Sequence, residues 1–287
     1  METQQIGVVG AGTMGRGIAL ACLMHGFHVT LSDKNTGTLE AATHFIHEQL
    51  NVAQSRGKLT QDQVERSHDA LRTDTETTIH RNADIVIESI IEDSSAKKAL
   101  FAELETIISP SALIATNTSS ISINALSASL TNAGRFLGIH FFNPAHIMKL
   151  VEIIPSLRTE DVTIEQATIF ATRLGKTPIV VEDVPGFLVN RVVRNFYVEA
   201  QRIALERVAT IEQIDRLMEA VGFRMGPFRL MDLIGVDTNL AVTKSIYEQY
   251  FYEPRYQPTR LQQAYVDAGL YGRKNGRGFY SYGNEKE

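Results

Sequence analysis

Short apolar runs and helical patterns take turns along the first part of this chain, and after about residue 183 only helical spacing remains. Gln5-Ile6-Gly7-Val8-Val9 reads as a short buried strand, and Ile18, Ala19, Ala21, Cys22 and Leu23 then recur at the spacing of a helix that ends near Gly26. His28-Val29-Thr30-Leu31-Ser32 is a second strand, stopping at Asp33, so the chain opens with a βαβ unit. Residues 38–55 predict a long helix with Leu39, Ala42, Phe45, Ile46, Gln49, Leu50 and Ala53 on its inward side. Gly57 breaks it, and a shorter helix over 61–66 completes a helical excursion at about 38–67. Asp84-Ile85-Val86-Ile87-Glu88 resumes the alternation as an almost wholly apolar strand, the signature of a parallel sheet covered on both faces. A helix over 98–108 follows. Strands are expected at 113–116, 137–142 and 150–154, with the last at 179–181.

Beyond that point helices are expected at 187–207, 211–221, 230–251 and 259–268, with Gly222, Pro227 and Pro258 as breaks. The first of them is apolar on more than one face, from Phe187 and Val189 through Val192, Val193 and Phe196 to Leu205. Such a helix needs cover on several sides, which points to a partner subunit as well as to its own domain. The predicted fold is α/β: a Rossmann-type, mostly parallel, doubly wound sheet over 1–183, then a smaller all-helical substrate and dimerisation domain over 184–287.

Composition narrows the function classes. A chain of 287 residues is long for a single core, which agrees with two units. Its hydrophobic content of 44% is ordinary, and no apolar run approaches the ~20 residues that cross a bilayer. A net charge of -5, with both signs interspersed, offers no basic field for a nucleic acid backbone. The lone Cys22 sits within an apolar helical pattern and reads as packing. Only four residues precede the first strand, leaving no room for a leader in this sequence, so a cytoplasmic protein is expected.

The candidate chemistry lies at strand ends. Gly10-Ala11-Gly12-Thr13-Met14-Gly15 joins the first strand to its helix, where Gly10 permits the tight turn, Gly12 close approach of a pyrophosphate, and Gly15 close helix–strand packing. The helix N-terminus would hold the phosphates through its amides and dipole. Asp33 follows the first glycine by 23 residues, the spacing of a carboxylate that binds a ribose 2′-hydroxyl and repels a 2′-phosphate, which favours NAD over NADP. Glu92 and Lys97 stand where a strand's carboxyl end meets the next helix, either as cofactor contacts or as ordinary helix-start charges. Asn117-Thr118-Ser119-Ser120 ends another strand, on the edge where the nicotinamide is expected. His140 and Glu152 sit on two apolar runs flanking a Pro144 corner. They read either as a histidine held by hydrogen bonds in a packed corner or as an acid/base pair. Arg56 and Lys58 form a basic turn open to substrate phosphates or simply to solvent. No metal site is expected.

Taken together, these segments resemble the short-chain L-3-hydroxyacyl-CoA dehydrogenase family, most of all its bacterial 3-hydroxybutyryl-CoA members. The matching stretches are the glycine turn, Ala115-Thr116-Asn117-Thr118-Ser119-Ser120, His140-Phe141-Phe142-Asn143-Pro144, Lys149-Leu150-Val151-Glu152, Pro185-Gly186-Phe187-Leu188-Val189-Asn190-Arg191, Gly226-Pro227-Phe228, and the run from Gly272-Arg273-Lys274 to Tyr280. They cover nearly the whole chain in order. The resemblance implies His140 as acid/base, Glu152 as its partner, and Ser119 and Asn190 as the residues holding the substrate's 3-oxygen and thioester. It also implies NAD contacts from Asp33, Glu92, Lys97, Ser119, Asn143 and Lys274, and a homodimer acting on acyl-CoA in β-oxidation chemistry. The family's CoA-binding serine aligns with Gln49, a departure, and its basic partner with Arg56.

Two rival readings remain at this level. Another two-domain dehydrogenase, of the 3-hydroxyisobutyrate or 6-phosphogluconate type, would carry a lysine where Gly186 stands, four residues before Asn190. A catalytically silent NAD-binding protein would lack one or more reacting side chains, and here those positions are filled. Within the resemblance, 3-hydroxyadipyl-CoA is the alternative to a short acyl chain.

Overall fold

The computed structural model describes residues 4–283. The chain divides into two compact units, one reaching Val184 and the other starting at Pro185.

The first unit is built on β1 (Gln5–Val9), β2 (His28–Ser32), β3 (Leu71–Asp74), β4 (Ile85–Glu88), β5 (Leu113–Thr116), β6 (Phe136–Phe141), β7 (Leu150–Pro155) and β8 (Thr177–Val180). They form one sheet in the order β3-β2-β1-β4-β5-β6-β7-β8, with the switch point between β1 and β4. Every pairing is parallel except β6 with β7. Its helices are α1 (Thr13–Met24), α2 (Thr36–Ser55), α3 (Gln61–Asp69), α4 (Ser94–Ile107), α5 (Ile123–Ser127) and α6 (Asp161–Arg173). The burial of β4 as Ile85, Val86 and Ile87 follows from helices on both faces, since a strand covered twice has no polar side. Cys22 is fully buried within this core, in keeping with a packing role. Two elements escape the sequence pattern. β3 is an outer strand whose Arg72, Thr73 and Asp74 are exposed, and α6 carries too few apolar residues for its period to stand out.

Beneath β1 and β2, His80 is fully buried and bridges Thr30 Oγ1 and Ser32 Oγ, each at 2.7 Å. Gly7 makes room for it: a Cβ there would stand 2.8 Å from the imidazole. Burial pushes His80 down to about 4. At the far edge, β8 carries Pro178 opposite Val151. Thr177 and Val181 donate their N–H groups to the Lys149 and Ile153 carbonyls, so at the alternate positions Val180 points its N–H away from the sheet and Pro178 has none.

The second unit is helical: α7 (Val189–Leu205), α8 (Ile211–Ala220), α9 (Pro227–Ile234), α10 (Val236–Gln249) and α11 (Arg260–Asp267). Tyr197, Ala200, Ile214, Phe228, Met231, Val236 and Phe279 form its core. The helix expected over 230–251 is in fact two, because Gly235 at φ 104° breaks it between α9 and α10. α7 likewise begins two residues later than its apolar pattern, since Phe187 holds φ 47°. Asp232 ties the chain's later residues back to α9 by accepting from Phe279 N, Tyr280 N and the Tyr282 hydroxyl, each at 2.9 Å. No helix among the described residues is long and apolar enough to cross a membrane.

Candidate active site

The turn between β1 and α1 is shaped by what its glycines leave out. Gly10 holds φ 99°, and a Cβ there would meet the Ser89 carbonyl at 2.4 Å; one on Gly15 would lie 1.7 Å from the Gly10 oxygen. Gly12 differs. It is the N-cap of α1, no side chain caps the helix, and a Cβ would meet nothing within 4 Å. The helix thus starts with uncommitted amides facing open space, with no acidic residue in its first turn, as an anion requires. Thr13 is exposed and Met14 half-buried against the core. Asp33 steadies the turn, accepting from Ala11 N at 2.8 Å and Asn35 N at 2.9 Å. A carboxylate has lone pairs to spare for a ribose hydroxyl as well. These residues fit a dinucleotide.

Next to it the ends of β4 and β5 hold a buried charge network. Glu88 and Lys97 are almost fully buried, with Nζ 2.6 Å from Glu88 Oε1, and Thr116 Oγ1 donates to Glu88 Oε2 at 2.6 Å. Lys97 also lies 3.3 Å from Glu92 Oε2. The other Glu92 oxygen gathers Thr118 Oγ1 (2.5 Å), Ser119 N (3.1 Å), Ser120 N (3.2 Å) and Ser120 Oγ (2.9 Å). Burial alone would raise the Glu92 carboxyl, but these donors and Lys97 outweigh it and hold it below the usual range. The sequence pointed to Glu92, Lys97 and Ser119 without the buried Glu88 that anchors them. Its only signal there was a charge closing an apolar strand.

His140 and Glu152 face each other across the antiparallel β6–β7 pair, as register partners. His140 Nδ1 lies 2.7 Å from Glu152 Oε2, with the histidine 6% exposed and the carboxylate fully buried. A carboxylate accepting at Nδ1 fixes the tautomer and leaves Nε2 as the ring's basic nitrogen. Asn117 Oδ1 accepts from Phe141 N at 2.9 Å and so joins the end of β5 to the end of β6. Asn143 is exposed on the loop from 142 to 149. That loop is fastened from below by the buried Lys176, which donates to the carbonyls of Ala145 (2.5 Å) and Met148 (2.8 Å). Neither Asn117's fastening role nor Lys176 was foreseen, because both act through backbone carbonyls and amides that no motif records.

The remaining candidates are more dispersed. Gln49 is half-buried on α2, while Arg56 and Lys58 are exposed on either side of Gly57. Nearby, Arg16 stacks over Phe45 at 4.2 Å, an arrangement the sequence did not suggest. In the second unit Asn190 lies in the first turn of α7, and Lys274 pairs with Asp237 Oδ2 at 2.6 Å.

A dinucleotide cradle at a switch point and a buried histidine–carboxylate pair on one sheet define a class: an oxidoreductase that uses a nicotinamide dinucleotide. Comparison with known proteins then fixes the family. Residues 5–184 match the 3-hydroxyacyl-CoA dehydrogenase NAD binding domain and residues 186–282 the 3-hydroxyacyl-CoA dehydrogenase C-terminal domain, so the chain belongs to the 3-hydroxyacyl-CoA dehydrogenase family. It is 43% identical to the 3-hydroxyadipyl-CoA dehydrogenase of Escherichia coli, over all of this chain but 61% of that protein's length. It is 38% identical to a probable 3-hydroxybutyryl-CoA dehydrogenase of Deinococcus radiodurans, over 97% of this chain and 100% of the relative. Among solved structures, the (S)-3-hydroxybutyryl-CoA dehydrogenase of Ralstonia eutropha superposes with a TM-score of 0.94 at 37% identity, covering 99% of this chain and 100% of that one.

Proposed function

We propose that the protein oxidises (S)-3-hydroxyacyl-CoA to 3-oxoacyl-CoA, reversibly and with NAD, on short acyl chains such as 3-hydroxybutyryl. The observation that carries this reading is the 2.7 Å contact between His140 and Glu152 in a nearly dry setting. When bound, the nicotinamide cofactor supplies the hydride acceptor. His140 Nε2 takes the 3-hydroxyl proton as the C3 hydride departs, and returns it to the ketone oxygen in the reverse direction. Glu152 orients the ring and stabilises the imidazolium, as a triad carboxylate does. Ser119 and Asn190 hold the substrate's 3-oxygen and thioester.

Gly10, Gly12, Thr13, Met14 and Gly15 are assigned to the pyrophosphate, with Asp33 on the adenosine ribose. That carboxylate favours NAD, since a 2′-phosphate would add a like charge beside it. Glu92, Lys97, Ser119, Asn143 and Lys274 complete the cofactor set, and Gln49, Arg56 and Lys58 are assigned to coenzyme A. The helical unit is the dimerisation domain, and the enzyme is cytoplasmic. A second reading, 3-hydroxyadipyl-CoA as substrate, is favoured by the name of the Escherichia coli relative.

Loss of NADH absorbance on adding acetoacetyl-CoA tests the reaction and separates it from a silent dinucleotide-binding scaffold. His140→Ala should lower kcat by roughly 10²- to 10⁴-fold, the usual weight of a general acid/base, while NADH binding followed by fluorescence persists. An unchanged kcat would remove His140 from the chemistry.

A further inference from the structure

One turn beyond Asn190, α7 buries an arginine in neutral surroundings. Arg194 is only 3% exposed. Its Nη1 donates to the Asn239 carbonyl (3.0 Å) and Thr243 Oγ1 (2.8 Å), and lies 3.4 Å from Asn239 Oδ1. Its Nε donates to the Asn190 carbonyl at 3.3 Å, and the guanidinium stands 4.8 Å from the centre of the Tyr197 ring. None of these partners carries a formal negative charge. Burial pulls Arg194 down to about 10, with only Tyr197 acting against it. The other buried arginine, Arg135, has Glu105 at 3.9 Å, and Arg229 is flanked by Asp215 (3.9 Å) and Glu219 (3.7 Å). Among the described residues Arg194 forms no ion pair, and its hydrogen bonds to Asn190, Asn239 and Thr243 all go to neutral oxygens.

A donor without a partner sits beside it. Asn239 offers its Oδ1 to Arg194 and to Gln262 Nε2 (3.0 Å), yet its Nδ2 is buried with no partner among the described residues. A guanidinium without a counter-charge and an amide without an acceptor are what a carboxylate would satisfy, because it brings the charge and the lone pairs together. The position also suits an acyl chain. Helical side chains lean toward the N-terminus, so Arg194 reaches back over the turn that bears Asn190, as its bond to that carbonyl records. In a six-carbon dicarboxylic chain the far carboxylate stands roughly 5 Å from C3, on bonds of about 1.5 Å. One helical turn spans about 5.4 Å.

We propose that Arg194, assisted by Asn239, receives a terminal carboxylate on the acyl chain, so that dicarboxylic 3-hydroxyacyl-CoA thioesters are preferred to uncharged ones of the same length. This rests on the assignment of the reaction, and of Asn190 to the substrate, made above. It turns the second reading of the acyl group into a statement about one side chain.

The test compares kcat/KM, with NAD, for 3-hydroxyadipyl-CoA, 3-hydroxyhexanoyl-CoA and 3-hydroxybutyryl-CoA. The intact enzyme should favour the adipyl over the hexanoyl thioester by about tenfold or more, as a charge-assisted hydrogen bond allows. Arg194→Met should cost the adipyl thioester about a hundredfold and the hexanoyl thioester far less, and Arg194→Lys should restore part of the difference. Equal kcat/KM for the adipyl and hexanoyl thioesters in the unmodified enzyme overturns the proposal even if the variants fail to fold. An equal loss on both thioesters in Arg194→Met, with a lowered Tm, also overturns it, because that marks a strut between α7 and α10. Turnover of 3-hydroxybutyryl-CoA without the adipyl preference would sink this inference alone, whereas no turnover of any of the three would sink the reaction assignment with it.

Discussion

His140 and Glu152 show how much a sequence can disclose about single residues. Two apolar runs around a proline were enough to bring an imidazole and a carboxylate onto neighbouring strands, and their register pairing places the two groups in contact. Charge is what Glu152 adds to that contact. Glu152→Gln keeps the shape and most hydrogen bonding but withdraws the anion that stabilises the imidazolium, so kcat for oxidation should fall about ten- to a hundredfold. An unchanged kcat would leave Glu152 a packing role. Glu88 and Lys176 were not legible in the same way. A buried lysine donating to two carbonyls looks, in sequence, like any other surface cation, because its partners are backbone atoms common to all residues. Arg194 was read only as part of an apolar helix, since burial without a counter-charge is a property of three dimensions.

At the level of elements, the β1–α1 turn was the most legible and offers the cleanest contrast. Gly15→Ala should be strongly destabilising, because its Cβ would lie 1.7 Å from the Gly10 oxygen, whereas Gly12→Ala should leave Tm within about 2 °C, its Cβ meeting nothing. The same Gly12 change should weaken NADH binding about tenfold or more, measured by fluorescence titration, as the methyl enters the space assigned to pyrophosphate. Equal NADH affinity would place the cofactor elsewhere. β1 and β2 also carry an acid sensitivity through His80, held neutral by burial at about 4 against an ordinary 6.5. The unfolded chain binds this proton first, so stability is lost as pH falls from about 6.5 to about 4, by up to about 3 kcal/mol. Urea midpoints over that range should decline, and His80→Asn should flatten part of the decline. Elements that misled did so for local reasons: β3 is short and polar, and Gly235 interrupts α9 and α10 without disturbing their shared apolar period.

For the molecule as a whole, the change of pattern near residue 183 conveyed the two-part organisation, because parallel strands and helices leave different periods. Assembly was argued from the breadth of α7's apolar surface and from the family resemblance. Val192 and, on neighbouring segments of the same unit, Leu217, Val221 and Phe223 are indeed exposed. Light scattering should therefore give twice the chain mass, and Val192→Glu with Leu217→Glu should return a monomer, since two buried charges without partners oppose association. A monomer before substitution would refute the dimer.

Pro178 bears on where a second copy of the chain would join. Of the two backbone positions on β8 that point away from β7, one has no hydrogen to give. An incoming strand would find a gap in the ladder at that rim. The β8 edge is therefore guarded against pairing with a second sheet, and a second copy joining there would have to do so through side-chain surfaces.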